Sequence, residues 1–195
     1  MKSIVLASGN PGKKAEIEAL LEPFGTRVIT QIELGITEAE EPHDSFLENA
    51  LAKARHVCFA TRLAALADDS GLCVDALGGA PGVHSARYAG EPKSDLKNNQ
   101  KLLAEMSAQD NRGAHYECVL VLMHGPGDAQ PLVASAQWHG NIVRLPRGAG
   151  GFGYDPLFLP EGMTKTAAEL DPHEKNRISH RGQALQQLLV LLKNS

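Results

Sequence analysis

The apolar positions along the chain fall into blocks whose spacing changes from run to period. Ile4 to Ala7 is a short unbroken apolar run closed by Ser8-Gly9-Asn10-Pro11-Gly12, and it predicts a buried strand. From near Lys13, Ala15, Ile17, Leu20 and Leu21 follow a helical spacing that Pro23 and Gly25 stop. Val28 to Thr30 predicts a second short strand. Ser45, with Glu48 three residues on, has the spacing of a capping box and should open a long helix reaching about Arg62. Ala65 to Ala67 predicts a strand that ends on Asp68-Asp69-Ser70-Gly71. Gly78 to Gly90, rich in glycine, proline and small residues, predicts a structured loop, and Asp95 to Met106 a helix. Cys118 to Met123 and Val133 to Val143 predict long strands, with Gly125-Pro126-Gly127-Asp128 turning between them. Arg147 to Tyr154 is a glycine-rich loop. Ser179 is placed to cap a last helix, whose Leu185, Leu188, Leu189 and Leu192 share one face. Interleaved strands and helices with one hairpin-like pair predict an α/β protein with a mixed sheet.

Composition narrows the partners. A chain of 195 residues suits one domain or two closely packed lobes. A net charge of −4 gives no global basic field, so nucleic acid is not an expected partner, and an anionic ligand must be met by local charge. The three cysteines, Cys58, Cys73 and Cys118, have no metal-ligand spacing and are expected as reduced core thiols. Ile4 to Ala7 is too short for a signal peptide or a membrane span, and no other stretch reaches that length. The expected location is therefore the cytoplasm, with no membrane partner.

Five segments can carry chemistry. Ser8-Gly9-Asn10-Pro11-Gly12-Lys13, between a strand and a helix, offers unpaired backbone N–H groups and a helix N-terminus to an anion, with Lys13 and Lys14 adding charge. It is not a Walker loop, because two residues rather than four separate Gly9 from Gly12 and Lys14 stands where the magnesium-binding hydroxyl belongs. A plain turn would read the same way. Asp68 and Asp69 repel each other unless a cation or proton joins them. Neighbouring strand residues face opposite sides, so one is expected to face a site and the other to anchor a turn. Glu38, Glu40 and Glu41 are either a solvated acidic loop or a second carboxylate source for magnesium. In Gly148-Ala149-Gly150-Gly151-Phe152-Gly153-Tyr154-Asp155, glycines flank an aromatic that can stack on a base. Lys175, His180 and Arg181 are donors around the start of the last helix, suited to a carbonyl or phosphate, or simply a charged cap. His56, His115, His124 and His139 show no pairing and read as surface or core residues.

In order, the chain carries SGNPGK, EEPHDSFLENALAKA, ADDSGLCVDALGGAPGVHSARY, GGFGYDPLF and EKNRISHRGQAL. Together these resemble the inosine triphosphate pyrophosphatase family, the house-cleaning purine nucleotide hydrolases, in its bacterial branch and over essentially the full length. The resemblance implies an elongated α/β fold with a central mixed sheet flanked by helices, and two lobes with a nucleotide cleft between them. It implies a homodimer, a magnesium ion, and hydrolysis of ITP, dITP and XTP to the monophosphate and pyrophosphate. It implies that Ser8, Gly9, Asn10, Pro11, Gly12 and Lys13 bind phosphate, with Lys53 and Ser70 near the phosphates. Glu41 and Asp69 are implied as magnesium-linked carboxylates, Asp69 also as general base. Phe152, Gly153, Tyr154, Asp155, Lys175, His180 and Arg181 are implied in the base and sugar site. The family often has Thr-Gly after the paired glutamates, whereas Pro42-His43 follows here, which leaves Glu40 and Glu41 both open. Two alternatives remain: a Maf-like pyrophosphatase of pyrimidine or modified nucleotides, whose Ser-Pro-Arg-Arg signature is absent, and a nucleotide-binding module without turnover, which would have no use for the Asp68-Asp69 pair.

Overall fold

The computed structural model describes residues 3–194, so Met1, Lys2 and Ser195 of the sequence reading lie outside it. Six strands form one sheet in the order β2-β1-β3-β4-β5-β6. They are β1 (Ser3–Leu6), β2 (Arg27–Thr30), β3 (Ala65–Val74), β4 (Gly113–Met123), β5 (Leu132–Ile142) and β6 (Phe158–Pro160). β1 runs parallel to β2 and β3, whereas β5 and β6 are antiparallel, which makes the sheet mixed as the pattern predicted. The helices are α1 (Pro11–Leu21), α2 (Phe46–Thr61), α3 (Asp95–Glu105), α4 (Pro172–Ile178) and α5 (His180–Asn194). No helix among the described residues is long and apolar enough to cross a membrane.

Local chemistry sets the helix ends. The Asn10 side chain accepts from the Gly12 and Lys13 N–H groups and Pro11 occupies the first turn, so α1 begins at Pro11 rather than near Lys13. Ser45 caps α2 through the Glu48 N–H, and Arg62, in the left-handed region at φ 60°, ends it. Ser94 caps α3 and Asp171 caps α4. Lys175, expected at the start of the last helix, lies in α4, a separate short helix before α5.

The chain divides into two compact units. The first comprises Met1–Asp69, Cys118–Ala136 and Arg181–Ser195. Its part of the sheet is apolar on both faces. Ile4, Leu6, Leu66, Cys118, Leu120 and Leu122 pack with Ile17 and Leu21 of α1 and Leu185 and Leu188 of α5. Val5, Ala7, Ala65, Ala67, Val119 and Val121 pack with Ala50, Ala54 and Val57 of α2. The period of two along each strand thus assigns even-numbered residues to α1 and α5, and odd-numbered residues to α2.

The second unit comprises Ser70–Glu117 and Gln137–His180. Here Leu72, Val74, Ala114, Tyr116, Trp138 and Ile142 face a core completed by Leu102, Met106, Tyr154, Leu157 and Phe158. Gly78 to Gly90 holds a 3₁₀ turn, Gly82–Arg87, within the expected loop. Two strands run further than the pattern suggested. β3 continues through Asp68-Asp69-Ser70-Gly71 to Val74, because ion pairs satisfy its carboxylates inside the sheet. Gly71 sits where an added Cβ would lie 2.2 Å from the Gly82 carbonyl oxygen. β4 starts at Gly113, not Cys118, since its first half alternates polar and apolar rather than running apolar.

Leu120 is fully buried between α1 and α5. Leu120→Ala leaves a cavity there and should cost about 2–5 kcal/mol. Urea denaturation measures it, and a loss below about 1 kcal/mol would mean that this core is not closely packed.

Candidate active site

The even and odd faces of β3 carry one carboxylate each, and each meets a different helix. Asp68, on the even face and wholly buried, receives Lys13 Nζ of α1 at 2.5 Å and Arg181 Nε of α5 at 2.6 Å. The Cys118 thiol donates to its Oδ2 at 3.6 Å, and Arg181 is also paired with Glu16 of α1. Burial pushes the Asp68 carboxyl up, but the Arg181 and Lys13 charges outweigh it and hold the group well below the usual carboxylate range. Asp68 is therefore a fixed anion that ties β3 to both helices.

Asp69, on the odd face, receives Lys53 Nζ of α2 at 2.6 Å through Oδ1. Lys53 also meets Glu41 at 2.5 Å. Burial disfavours the Lys53 charge, yet Asp69 and Glu41 together raise its pKa above the ordinary lysine value. Asp69 differs from Asp68. Burial raises its pKa, only partly opposed by Lys53, so the ordinary value expected from sequence does not hold. Its Oδ2 is buried without a hydrogen-bond partner among the described residues. A small cavity lined by Glu38, Glu41 and Lys53 adjoins the cluster.

The acidic loop is pinned in place. Asn49 of α2, buried, accepts from the His43 N–H at 3.1 Å and donates to the His43 carbonyl at 2.9 Å. His56 Nε2 reaches the Thr37 carbonyl at 3.0 Å. Between these anchors Glu40 is exposed and Glu41 turns to Lys53. The pinned His43 backbone follows Pro42, at the point where the segment departs from the family pattern.

Ser8 to Lys13 stand at the entry to α1, with three of their N–H groups already taken. The Asn10 N–H donates to Ser8 Oγ at 3.1 Å, and those of Gly12 and Lys13 to Asn10 Oδ1 at 2.8 and 3.1 Å. The expectation of unpaired loop N–H groups is corrected for Asn10, Gly12 and Lys13, whose N–H groups the cap uses. A Cβ on Gly9 would lie 2.9 Å from Glu38 Oε1, so this loop passes close to the acidic one. Ser70 follows Asp69 in β3, half-buried.

In the second unit Asp155 organises the glycine loop. Its Oδ2 accepts the Phe152 N–H at 2.9 Å and Lys175 Nζ at 2.6 Å, and the Tyr116 hydroxyl approaches Oδ1 at 3.4 Å. Gly151 has φ 71°, and an added Cβ would meet Asp155 Oδ2 at 2.0 Å, so only glycine fits. The Gly153 peptide is fixed by Asp95 on its N–H and Asn99 on its carbonyl, at 2.7 and 2.8 Å. Phe152 is half-buried, with Lys175 Nζ 4.9 Å from its ring centre. Tyr154 is a core residue whose hydroxyl donates to the Ser85 carbonyl at 2.9 Å. His180 lies flat on Tyr116, centroids 4.6 Å apart and planes 6° from parallel.

The structure thus gathers Lys13, Glu41, Lys53, Asp69 and Arg181 in the first unit, and Phe152, Gly153, Tyr154, Asp155, Lys175 and His180 in the second. Arg181, read from sequence beside His180, has Asp68 and Glu16 as partners. Sequence reading missed Glu16, Cys118, Asn99 and Tyr116. For Tyr116 a signal was present, since it and Trp138 fall at inward positions of alternating strands. Asn49 and Glu16 carry no signal without the fold.

Comparisons with known proteins match nearly the whole chain. The model of the Ham1 family matches residues 4–191. A dITP/XTP pyrophosphatase of Ralstonia nicotianae is 59% identical, covering 99% of this chain and 98% of that protein. One of Nitrosomonas europaea is 58% identical, covering 100% and 96%. Among solved structures, a HAM1 protein from Coxiella burnetii superposes with a TM-score of 0.90 at 49% identity, covering 100% of both chains.

Asp68→Asn should destabilise the fold by about 3–5 kcal/mol at pH 7, because Lys13 and Arg181 lose their buried counter-charge. Asp68 titrates lower when folded than when unfolded, so its stabilisation is complete above the ordinary aspartate range and fades as pH falls through the folded value. Urea titrations of wild type and variant at stepwise lower pH should therefore converge. A gap that stays constant into strong acid would contradict the assignment.

Proposed function

The chain belongs to the Ham1 family, and from that premise we propose that it hydrolyses deaminated purine nucleoside triphosphates, ITP, dITP and XTP, to the monophosphate and pyrophosphate. The observation that carries the reading is the pair of carboxylates on opposite faces of β3: Asp68 locked by Lys13 and Arg181, Asp69 with one oxygen open beside Lys53 and Glu41. A locked anion gives rigidity. An open buried carboxylate oxygen gives reactivity.

The carboxylates around Lys53 fit a magnesium ion. Asp69 Oδ2 lacks a protein partner among the described residues, Glu41 lies across Lys53 from it, and both offer the hard oxygens that magnesium prefers. Held by Glu41 and Asp69, the ion would neutralise phosphate charge. Lys13 and Lys53 bring the positive charge that positions the triphosphate. Asp69 orients a water for in-line attack on the α-phosphorus. The bond from that phosphorus to the oxygen bridging to the β-phosphorus breaks, pyrophosphate leaves, and the water's proton passes to Asp69. Arg181 acts by fixing Asp68, and through it the register of β3.

Base selection falls to the second unit. Phe152 offers a stacking face worth about 1–3 kcal/mol per base. Lys175 and His180 are donors, and a 6-oxo purine presents an acceptor where adenine presents an amino group. A site whose donors match a 6-oxo acceptor can reject an amino group there by about 10⁴ or more. The working assembly we take is the family's homodimer, acting on free nucleotides in the cytoplasm.

Pyrophosphate release from ITP, XTP, ATP, dTTP and UTP, with magnesium and after chelation, tests the reading. Turnover is expected with ITP and XTP and should vanish on chelation. Preference for pyrimidines would replace it with the Maf-like alternative, and no turnover at all would leave a binding module. Asp69→Asn should lower turnover by orders of magnitude with the fold intact by circular dichroism. Near-full activity in that variant would remove Asp69 from the mechanism.

A further inference from the structure

We propose that the outward side of the second unit's strands binds a zinc-class transition-metal ion on Cys73, His115 and Glu117. The sulfur of Cys73, a ring nitrogen of His115 and a carboxylate oxygen of Glu117 all lie within 4.8 Å of one another. His115 Nε2 and Glu117 Oε2 are 3.8 Å apart. The sequence shows no metal-ligand spacing because the ligands come from separate strands. His115 and Glu117 are two apart on β4 and share its outward side, while Cys73 comes from β3, the neighbouring strand in the sheet. Inward from the same strands, Leu72, Val74, Ala114 and Tyr116 are locked in the core, so the three side chains stand on a rigid base.

The donor set selects the ion. A thiolate and an imidazole suit zinc and its neighbours in the transition series, whereas magnesium takes oxygen and would refuse the sulfur. Zinc bonds of about 2.0–2.3 Å place tetrahedral ligands roughly 3.3–3.8 Å apart. The His115–Glu117 pair, at 3.8 Å, is within about half an ångström of the separation a nitrogen and an oxygen ligand need, and side-chain rotations close the rest. Glu117 is further oriented by Gln137 Nε2 at 3.3 Å. His139, on β5, has its ring 5.3 Å from that of His115, and a cavity of about 480 Å³ adjoins both, lined also by Asp75 and Glu161. Rotation of His139 would supply a fourth ligand.

Binding exchanges a proton for the metal. Burial, with Glu117 and Asp75 nearby, pushes the Cys73 thiol up to about 11, so the metal-free group is S–H. A Zn–S bond forms as the S–H bond breaks, and the proton leaves to solvent. The ion would cross-link β3 to β4, and it involves none of the residues assigned to nucleotide hydrolysis.

The test uses the full-length protein, stripped of metal by chelation and dialysis and titrated with cobalt(II), then with zinc as competitor. A thiolate-to-cobalt charge-transfer absorption should appear, be displaced by zinc, and be absent from Cys73→Ser. Cys58 and Cys118 are buried elsewhere and remain as internal controls. His115→Ala and Glu117→Gln, which keep the thiol, should each weaken zinc binding at least about tenfold. These two decide the matter if Cys73→Ser does not fold. No charge-transfer absorption in the wild type, or zinc affinity unchanged by His115→Ala and Glu117→Gln, would overturn the proposal.

Discussion

Asp68 is a charge with no access to water, and such a charge costs several kcal/mol unless it is met by opposite charge in good geometry. Lys13 and Arg181 meet it, one from the first helix of the chain and one from the last. The contact ties α1, β3 and α5 together at one atom group. It also removes freedom from the strand. With Asp68 held on the α1 and α5 side, the period of two turns Asp69 to the α2 side, where Lys53 waits. Two adjacent carboxylates that would repel each other in solution are thus separated by the sheet itself. One is locked by two cations, and the other keeps one oxygen without a hydrogen-bond partner among the described residues.

The second unit follows the same logic with a different anchor. Asp155 is buried and carries Lys175, and the same carboxylate closes the turn at Phe152. The loop can wrap its anchor that tightly only because Gly151 has no side chain to collide with it. Asp95 and Asn99 then clamp the next peptide, at Gly153. The aromatic ring is therefore presented by a loop that is fixed, although its sequence reads as flexible. A fixed ring gives up less entropy when a base stacks on it.

Much of this was legible in the sequence. A short apolar run closed by glycine and proline, such as Ile4 to Ala7, suits a strand buried on both faces, and β1 is that strand as far as Leu6. The start of α2 was legible where Ser45 precedes a helical period. The polar half of β4 carries the weaker signal of alternation, His115 and Glu117 outward against Ala114 and Tyr116 inward, which the unbroken apolar run after it overshadows. The end of β3 was hidden for a related reason. Asp68-Asp69-Ser70-Gly71 has the composition of a turn, and only partners far away in sequence make it a strand. The same holds for the loop before α1, where the N–H groups of Asn10, Gly12 and Lys13 look available until Asn10 and Ser8 are seen to take them. Sequence reports which groups can bond. It does not report which of them the fold has already used.

The account rests most heavily on attack at the α-phosphorus by a water aligned from Asp69. Hydrolysis of ITP in heavy-oxygen water, followed by mass analysis of both products, tests this directly. The account predicts one heavy oxygen in the monophosphate and none in the pyrophosphate. Label in the pyrophosphate, or release of single phosphates, would mean that attack falls on another phosphorus and would contradict the mechanism.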